Sequence, residues 1–317
     1  MQPAAFALLR RLAAGRLVPA GGTGLSRAAL RAAAEELAAH GLQVLDSAQG
    51  VRLAEPFDAL DAGEVLRLLG PAAAGLGLEI LDECESTNLV LAEREPAVSG
   101  TVIACELQTA GRGRRGARWH SGLGDALTFS MLWRPNRGSV LSGGLPLVAG
   151  VACARAVESL GAKDVALKWP NDLLLGAAKL GGILVEAQSM GEGASEAVIG
   201  IGLNVRLPGP VRTAIDAPVA DLADAGFRGS RNAVLAAVLV ALETALQRFE
   251  QAGFAAFRDE WTHRHAWHGC AVRLLVPPAR TVEGVVAGVA DDGALLVETG
   301  GGLERFHAAE VRLGRAA

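Results

Sequence analysis

Several residue types are scarce in this chain of 317 residues. Tyrosine is absent, lysine accounts for only three of the 30 basic residues, and the aromatic content is 4%. The four cysteines are scattered along the chain, at Cys84, Cys105, Cys153 and Cys270. Because no two of them have the spacing of a metal site or a redox motif, we interpret them as small apolar side chains in a reducing cytoplasm. The net charge of −4 argues against a chain devoted mainly to nucleic acid.

Long apolar runs are also missing. The longest, Ala233 to Leu242, lies between Arg231 and Glu243 and is shorter than the ~20 residues that a membrane span needs. Arg10 and Arg11 interrupt the first apolar stretch, which argues against a signal peptide. We therefore expect a cytoplasmic protein that does not contact a membrane.

The order of predicted elements indicates an α+β protein of three domains. Residues 1–65 combine a short helix, a turn rich in glycine and proline, a helix capped by Ser26 and a small hairpin, which is the outline of a winged helix-turn-helix. Residues 66–267 contain consecutive strands as well as helices, with strands predicted at Ala126–Trp133 and Val165–Lys168, which favours a mixed sheet over a doubly wound one. Residues 268–317 consist of short strands between turns, which predicts a small β-barrel of the SH3-like kind.

All three lysines lie in one window, from Lys163 to Lys179. Lysine differs from arginine as a compact charge with a tunable pKa, so in an arginine-rich chain this window is the first place to look for chemistry. Lys168 opens the sequence K-W-P-N-D, in which a cation, an aromatic ring, an amide and a carboxylate follow a strand. Asp172 in this sequence is a candidate Mg²⁺ ligand, or else the cap of an ordinary turn. Lys179 precedes paired glycines at the entry to a buried strand.

Residues 111–116 read G-R-G-R-R-G. They match the glycine spacing of dinucleotide-binding loops, but that motif requires a helix to follow, and the next residues predict a loop. Three guanidinium groups beside accessible backbone amides suit a phosphate or carboxylate ligand. Two other interpretations of this segment remain: a solvated basic loop without a ligand, or a nonspecific contact to nucleic acid.

Two further segments have polar or bare surfaces. Ser86-Thr87-Asn88 precede a predicted helix, where they either cap the helix or offer hydrogen bonds to a neutral polar ligand. Alternating glycines at 200 and 202 leave one face of a strand bare, which permits close approach of a ligand or of backbone.

The order and spacing of these segments resemble the biotin protein ligases in their long form, which carries an N-terminal winged helix. The resemblance rests on Ser86-Thr87-Asn88, Gln108 with GRGRRG at 111–116, KWPNDLL at 168–174, KLGGILVE at 179–186 and GIGLN at 200–204. It implies a mixed-sheet catalytic domain and a two-step reaction. The carboxylate of biotin attacks the α-phosphate of Mg·ATP to give biotinyl-5′-AMP, and the acyl group then passes to a lysine of a biotin carboxyl carrier protein. Three alternatives remain: a biotin-responsive repressor that uses the site as a sensor, a related lipoate ligase, and a nonspecific RNA-binding protein.

The resemblance also implies roles for individual residues. Biotin contacts are implied for Ser86, Thr87, Asn88, Gln108, Arg112, Gly113, Arg114 and Lys179, of which Arg114 and Lys179 would be catalytic. Contacts to ATP are implied for Arg115, Lys168, Asn171 and Asn204, a contact to Mg²⁺ for Asp172, and apolar walls for Trp119 and Trp169.

The N-terminal domain departs from the regulatory members of this family. Segment 18–25 is short for the first helix of a helix-turn-helix, and residues 1–55 carry six arginines against four acidic residues. Because so little net positive charge is available for phosphates, we expect weak DNA binding or none. A homodimer joined through an edge strand is also expected.

Overall fold

The computed structural model describes residues 1–13, 15–19, 24–135, 144–191 and 194–314. The N-terminal domain contains α1 (Pro3–Leu12), β1 (Val18–Pro19), α2 (Arg27–Ala39), β2 (Val44–Ser47) and β3 (Gly50–Leu53). The strands pair in the order β1-β3-β2. The predicted cap of α2 is confirmed, because the Ser26 side chain accepts a hydrogen bond from the Ala29 backbone N–H. The expectation for segment 18–25 falls partly on residues 20–23, which lie outside the described residues.

The N-terminal domain shares its core with the domain that follows. Phe57, Leu107 and Leu123 pack into the same apolar cluster as α1 and α2. The helix α3 (Ala62–Leu69) packs against a long helix of the central domain, and the expected boundary between residues 65 and 66 falls within it.

The central domain is built on a seven-stranded mixed sheet in the order β4-β5-β6-β10-β9-β8-β7. Its strands are β4 (Gly77–Cys84), β5 (Thr101–Gln108), β6 (Ala126–Trp133), β7 (Val165–Lys168), β8 (Asp172–Leu175), β9 (Ala178–Gly191) and β10 (Ala194–Asn204). Its helices are α4 (Thr87–Ala92), α5 (Leu145–Ser159), α6 (Gly209–Ala214), α7 (Arg231–Ala252) and α8 (Ala255–Arg264). Among the seven described strands of this sheet, only β4 and β5 pair in parallel, which agrees with the predicted α+β class.

Strand β6 shows why these sequences form this sheet. Every residue from Ala126 to Trp133 is buried, and a strand covered on both faces is apolar almost throughout. Strand β8 was not predicted, because only the turn at 169–171 separates it from β7 and a four-residue run gives a weak periodic signal.

The helix α7 is apolar and long enough to cross a membrane by length and composition alone. In the structure it packs against α3, α5 and α8, and Val234, Val238 and Leu242 are fully buried in the core. Its apolar character is therefore explained by its position at the centre of the helical layer.

The C-terminal domain is an antiparallel sheet of five strands in the order β14-β13-β12-β11-β15. The strands are β11 (Ala271–Val276), β12 (Arg280–Val289), β13 (Leu295–Thr299), β14 (Gly302–Phe306) and β15 (Glu310–Leu313). Its core residues belong to the same apolar cluster as the central domain, so the two domains are packed together.

Candidate functional site

Two of the predicted segments meet at one edge of the sheet. Ser86-Thr87-Asn88 follow β4, and Gln108 ends β5. Because these strands are parallel and Cys84 pairs with Gln108, their carboxyl ends lie side by side. The Thr87 backbone N–H and hydroxyl both donate to Gln108 Oε1, at 2.8 and 3.3 Å. All three residues of the first segment are buried, so their polar groups are held in a fixed arrangement.

A buried hydroxyl on β6 extends this arrangement. Ser130 Oγ lies 2.7 Å from Thr87 Oγ1 and donates to Asn88 Oδ1 at 2.6 Å. On the other side, Asn88 Nδ2 donates to Glu186 Oε2 at 2.8 Å and to the Leu184 carbonyl at 3.3 Å. The amide of Asn88 is thus oriented by partners on both sides.

The alternating glycines of β10 make room for two side chains. A Cβ atom at Gly200 would collide with Asn88 Oδ1, and one at Gly202 would lie 2.6 Å from the Trp119 indole. Gly182 faces Gly202 across the β9–β10 pair, and its Cβ would lie 3.6 Å from the same indole. The predicted bare face is therefore a glycine floor beneath Asn88 and Trp119.

The arginine-rich loop folds back on itself. Gly113 N–H donates to the Ala117 carbonyl at 2.7 Å, and Trp119 N–H donates to the Gly111 carbonyl at 2.9 Å. No α-helix follows the glycines in this described stretch, only a 3-10 turn over 114–116, as expected from the sequence. Arg115 lies exposed at the tip with a left-handed φ of 55°.

Two of the loop arginines are held by partners elsewhere in the site. Arg112 Nη2 lies 2.9 Å from Glu186 Oε1, and Arg114 Nη1 donates to Asn171 Oδ1 at 3.3 Å. Burial lowers the pKa of Arg114, and the neighbouring Arg115 adds to this effect. The positive charge of Arg114 is thus incompletely solvated and incompletely paired, which favours an anionic ligand beside it.

Asp172 lies between two lysines. Its Oδ1 is 2.7 Å from Lys179 Nζ, and its Oδ2 is 3.8 Å from Lys168 Nζ. Asn171 is fixed against β9, since its side chain donates to the Ile183 carbonyl at 2.8 Å and its own carbonyl accepts from Ile183 N–H at 2.9 Å.

These side chains enclose a cavity of about 320 Å³. Its character changes along β10: neutral amides and hydroxyls lie above Gly200, whereas the Trp119 ring and the Lys179 side chain lie above the Gly202–Gly182 pair. Trp119, Ile183, Leu184 and Ile201 supply apolar surface, and Arg112, Arg114 and Lys179 supply positive charge. The cavity therefore suits a ligand with a neutral polar end, an apolar middle and an anionic end.

Known proteins match this chain over most of its length. Residues 83–204 match the biotin/lipoate A/B protein ligase family, and residues 268–314 match the biotin protein ligase C-terminal domain. The bifunctional ligase/repressor BirA of Escherichia coli is 34% identical over 292 residues, which cover 92% of this chain and 89% of BirA. The chain belongs to the biotin protein ligase family.

Other members of the family support this assignment. The biotin–[acetyl-CoA-carboxylase] ligase of Paracoccus denitrificans is 32% identical over 248 residues, covering 74% of this chain and all of that protein. The solved structure of the Aquifex aeolicus biotin protein ligase in complex with biotin and ATP superposes with a TM-score of 0.65 at 30% identity, covering 76% of this chain and 99% of that one.

The structure brings most of the predicted ligase site together. Eleven predicted residues line the cavity: Ser86, Thr87, Asn88, Gln108, Arg112, Gly113, Arg114, Trp119, Asn171, Asp172 and Lys179. Three residues predicted for ATP lie outside this lining. Arg115 is at the exposed loop tip. Lys168 lies on the side of Asp172 that faces away from Lys179, with its Nζ 3.8 Å from Asp172 Oδ2. Asn204 Nδ2 donates to the carbonyls of Lys179 and Ala220 at 3.2 and 2.9 Å. Asn204 thus holds the backbone that carries Lys179.

The prediction that Trp169 forms a wall of the site is wrong. Its side chain is 3% exposed, and its Nε1–H donates to the Gly293 carbonyl in the C-terminal domain at 3.0 Å. A tryptophan next to a site residue can point to either side of its strand, and here it packs between the two domains.

Four residues in or beside the site were missed by the sequence analysis. Ser130 and Thr128 are the two hydroxyls on one face of an otherwise apolar strand, and this alternation was an available signal. Glu186 ends the KLGGILVE motif at 179–186, but no role was predicted for it. Glu310 of β15 also lines the cavity, and no local pattern connects it to residues so far away in the sequence.

Proposed function

We propose that this chain is an ATP-dependent biotin protein ligase that activates biotin as biotinyl-5′-AMP and transfers the acyl group to a lysine of a biotin carboxyl carrier protein. One observation carries the proposal: the cavity runs from neutral amides and hydroxyls, past the Trp119 ring, to Arg114 and Lys179. Biotin has the same order of groups, namely a polar ureido ring, an aliphatic chain and a carboxylate.

The polar end explains the choice of biotin over a fully apolar acid. Thr87, Asn88 and Gln108 already form a network whose orientation is set by Ser130 and Glu186. Preorganised donors and acceptors bind a ureido group without a free-energy cost for reorienting the side chains. An acid that lacks such a group would leave these buried donors and acceptors without partners. Lipoate lacks the ureido group, so we expect it to bind poorly.

The cationic end supports the first chemical step. The carboxylate of biotin and the triphosphate repel each other, so they meet only where positive charge screens both. Lys179 and Arg114 lie where this meeting would occur. A carboxylate oxygen attacks the α-phosphorus, the bond to the pyrophosphate oxygen breaks, and pyrophosphate leaves. In the second step the acceptor amine attacks the acyl carbon and loses a proton to solvent, an amide bond forms, and AMP leaves with the electron pair.

Magnesium enters this proposal as part of the Mg·ATP substrate. Among the described residues no group of three or more histidine, cysteine, aspartate or glutamate side chains could hold a resident ion. Mg²⁺ is commonly held by one or two carboxylates together with phosphate oxygens, and Asp172 supplies one carboxylate at the cationic end of the cavity. The residues present therefore fit an ion that arrives on the nucleotide, whose positive charge would help to screen the phosphates.

The repressor activity named for relatives such as BirA is not the function that we propose here. The exposed face of α2 consists mainly of alanines, and Arg31 pairs with Glu35 at 3.4 Å. The outward face of this helix thus offers little net positive charge for DNA phosphates, so we propose that DNA binding is weak or absent. The homodimer and the cytoplasmic location stay predictions.

The direct test is biotin-dependent exchange of labelled pyrophosphate into ATP, with and without Mg²⁺ and with lipoate in place of biotin. Exchange with biotin and Mg²⁺, followed by labelling of a biotin carboxyl carrier protein, is the expected result. Exchange with lipoate but not biotin would reassign the chain to the lipoate ligases. A folded protein without exchange would leave the sensor and repressor alternative, which retardation of an operator-like duplex by the full chain would support.

A further inference from the structure

The segment that joins α8 to the C-terminal domain lies along the end of β7. Ala266 N–H donates to the Leu167 carbonyl at 2.8 Å, and Trp169 N–H approaches His265 Nε2 at 3.5 Å. Burial lowers the pKa of His265 to about 3, so its ring is neutral and Nε2 can accept. Segment 265–267 is thereby fixed against the strand end that carries Lys168.

The next residue of this segment, Trp267, lies against Lys168. The Lys168 Nζ is 4.5 Å from the centre of the Trp267 ring, within the range of a cation–π interaction. The same Nζ is 3.8 Å from Asp172 Oδ2, whose other oxygen binds Lys179 at 2.7 Å. Trp267, Lys168, Asp172 and Lys179 therefore form a continuous row from the interdomain segment to the cavity.

The position of Lys168 in this row differs from that of a phosphate ligand. It does not belong to the cavity lining, and its side chain is 25% exposed, between the indole ring and Asp172. Asp172 and Lys179 do line the cavity. An ammonium held behind Asp172 would restrict the rotation of that carboxylate, which in turn holds the lysine at the reacting end.

We propose that Trp267 is a positioning residue for adenylation: it holds the Lys168 ammonium, which orients Asp172 and, through it, Lys179. The proposal rests on the proposed ligase function. According to this proposal, the interdomain segment affects the use of ATP. The ureido end of the cavity is held separately, by the contacts of Ser130 and Glu186 with Asn88. Loss of the ring should therefore weaken the use of ATP much more than the binding of biotin, which keeps its ureido network.

The first test measures the lysine contact without substrate. The chain has only three lysines, so incorporation of lysine labelled with ¹³C at Cε gives three NMR signals, which Lys→Arg variants assign. We expect the Lys168 signal upfield, because its ammonium end lies over the indole face. It should return to the ordinary position in Trp267→Leu and move partway in Trp267→Phe. His268→Ala, which changes an exposed neighbour, should leave it in place.

The second test measures pyrophosphate exchange in the same full-length variants. In Trp267→Leu we expect KM for ATP to rise about tenfold, the scale of one partly buried cation–π contact. The Kd for biotin, measured by calorimetry, should change much less, because the ureido network is untouched. Trp267→Phe should recover most of the loss, because a phenyl ring still presents a face to the ammonium. A merely structural role would instead lower thermal stability and affect both substrates alike.

The outcomes separate this proposal from the proposed function. A Lys168 signal at the ordinary position in the unmodified chain, or one unaffected by Trp267→Leu, would overturn the contact itself. If the Lys168 signal returned to the ordinary position in Trp267→Leu but KM for ATP did not change, the contact would exist and the role of Trp267 in adenylation would be overturned. Absence of exchange in the unmodified chain, with the Lys168 signal still upfield, would overturn the ligase function and with it the assignment to adenylation.

Discussion

Replacement of Lys179 by alanine should slow adenylate formation by about two to three orders of magnitude and leave the fold intact. The Lys179 side chain is 39% exposed, and its ion pair with Asp172 is partly solvated, so its loss should change the free energy of unfolding by at most about 1 kcal/mol. At the reacting end, removal of one preorganised charge that stabilises a transition state typically costs about 10²–10³ in rate, or about 2.7–4 kcal/mol. The two effects differ enough to be measured separately.

The assay is biotin-dependent pyrophosphate exchange, with urea unfolding of the same samples. Lys163→Ala is the matched control, because Lys163 is the exposed lysine of the same window and lies outside the cavity lining. Near-normal exchange in Lys179→Ala would refute the role assigned to this ammonium. Equal losses in both variants would show that total charge, and not position, matters.

Three further predictions concern biotin binding and stability. Gly200→Ala should weaken biotin binding about tenfold or more, measured by calorimetry, because the new methyl group would displace the oriented amide of Asn88. Arg231→Leu should destabilise the fold by about 3–5 kcal/mol in urea unfolding, because it removes a fully buried cation and leaves the Glu106 carboxylate unpaired. Burial raises the pKa of Asp125 to about 6, above its unfolded value of 3.8. The folded state therefore binds this proton more tightly, and up to about 3 kcal/mol of stability is present below pH 4 and lost as pH rises through 6. The Asp125→Asn variant should lack this part of the pH dependence.

Matched controls are available within the chain. Gly77→Ala adds a methyl group to a strand glycine with no heavy atom nearby, and it should leave biotin affinity unchanged. Arg258→Leu breaks exposed ion pairs with Asp259 and Asp291, and it should cost much less stability than Arg231→Leu. If Gly77→Ala weakened biotin as much as Gly200→Ala, or if Arg231→Leu cost no more than Arg258→Leu, the corresponding argument would be wrong.

Local sequence determined many of the elements. The predicted bounds Ala126–Trp133 and Val165–Lys168 are those of β6 and β7, and Ser26 caps its helix as expected. The boundaries were readable because turn formers flank continuous apolar runs and because a capping hydroxyl acts on a backbone N–H three residues away. The motifs named above, at 86–88, Gln108, 111–116, 168–174, 179–186 and 200–204, also contain most of the cavity lining.

Only the tertiary structure decided which polar groups meet. Ser130 and Glu186 orient Asn88 from strands 42 and 98 residues away in the chain, and Glu310 reaches the cavity from another domain. The same holds for two tryptophans: Trp169 was expected in the site but packs between domains, whereas Trp267 received no role and lies against Lys168. Periodicity and capping are short-range signals that fix an element and its ends. The partner of a side chain depends on strand order and domain packing, which many distant contacts determine together.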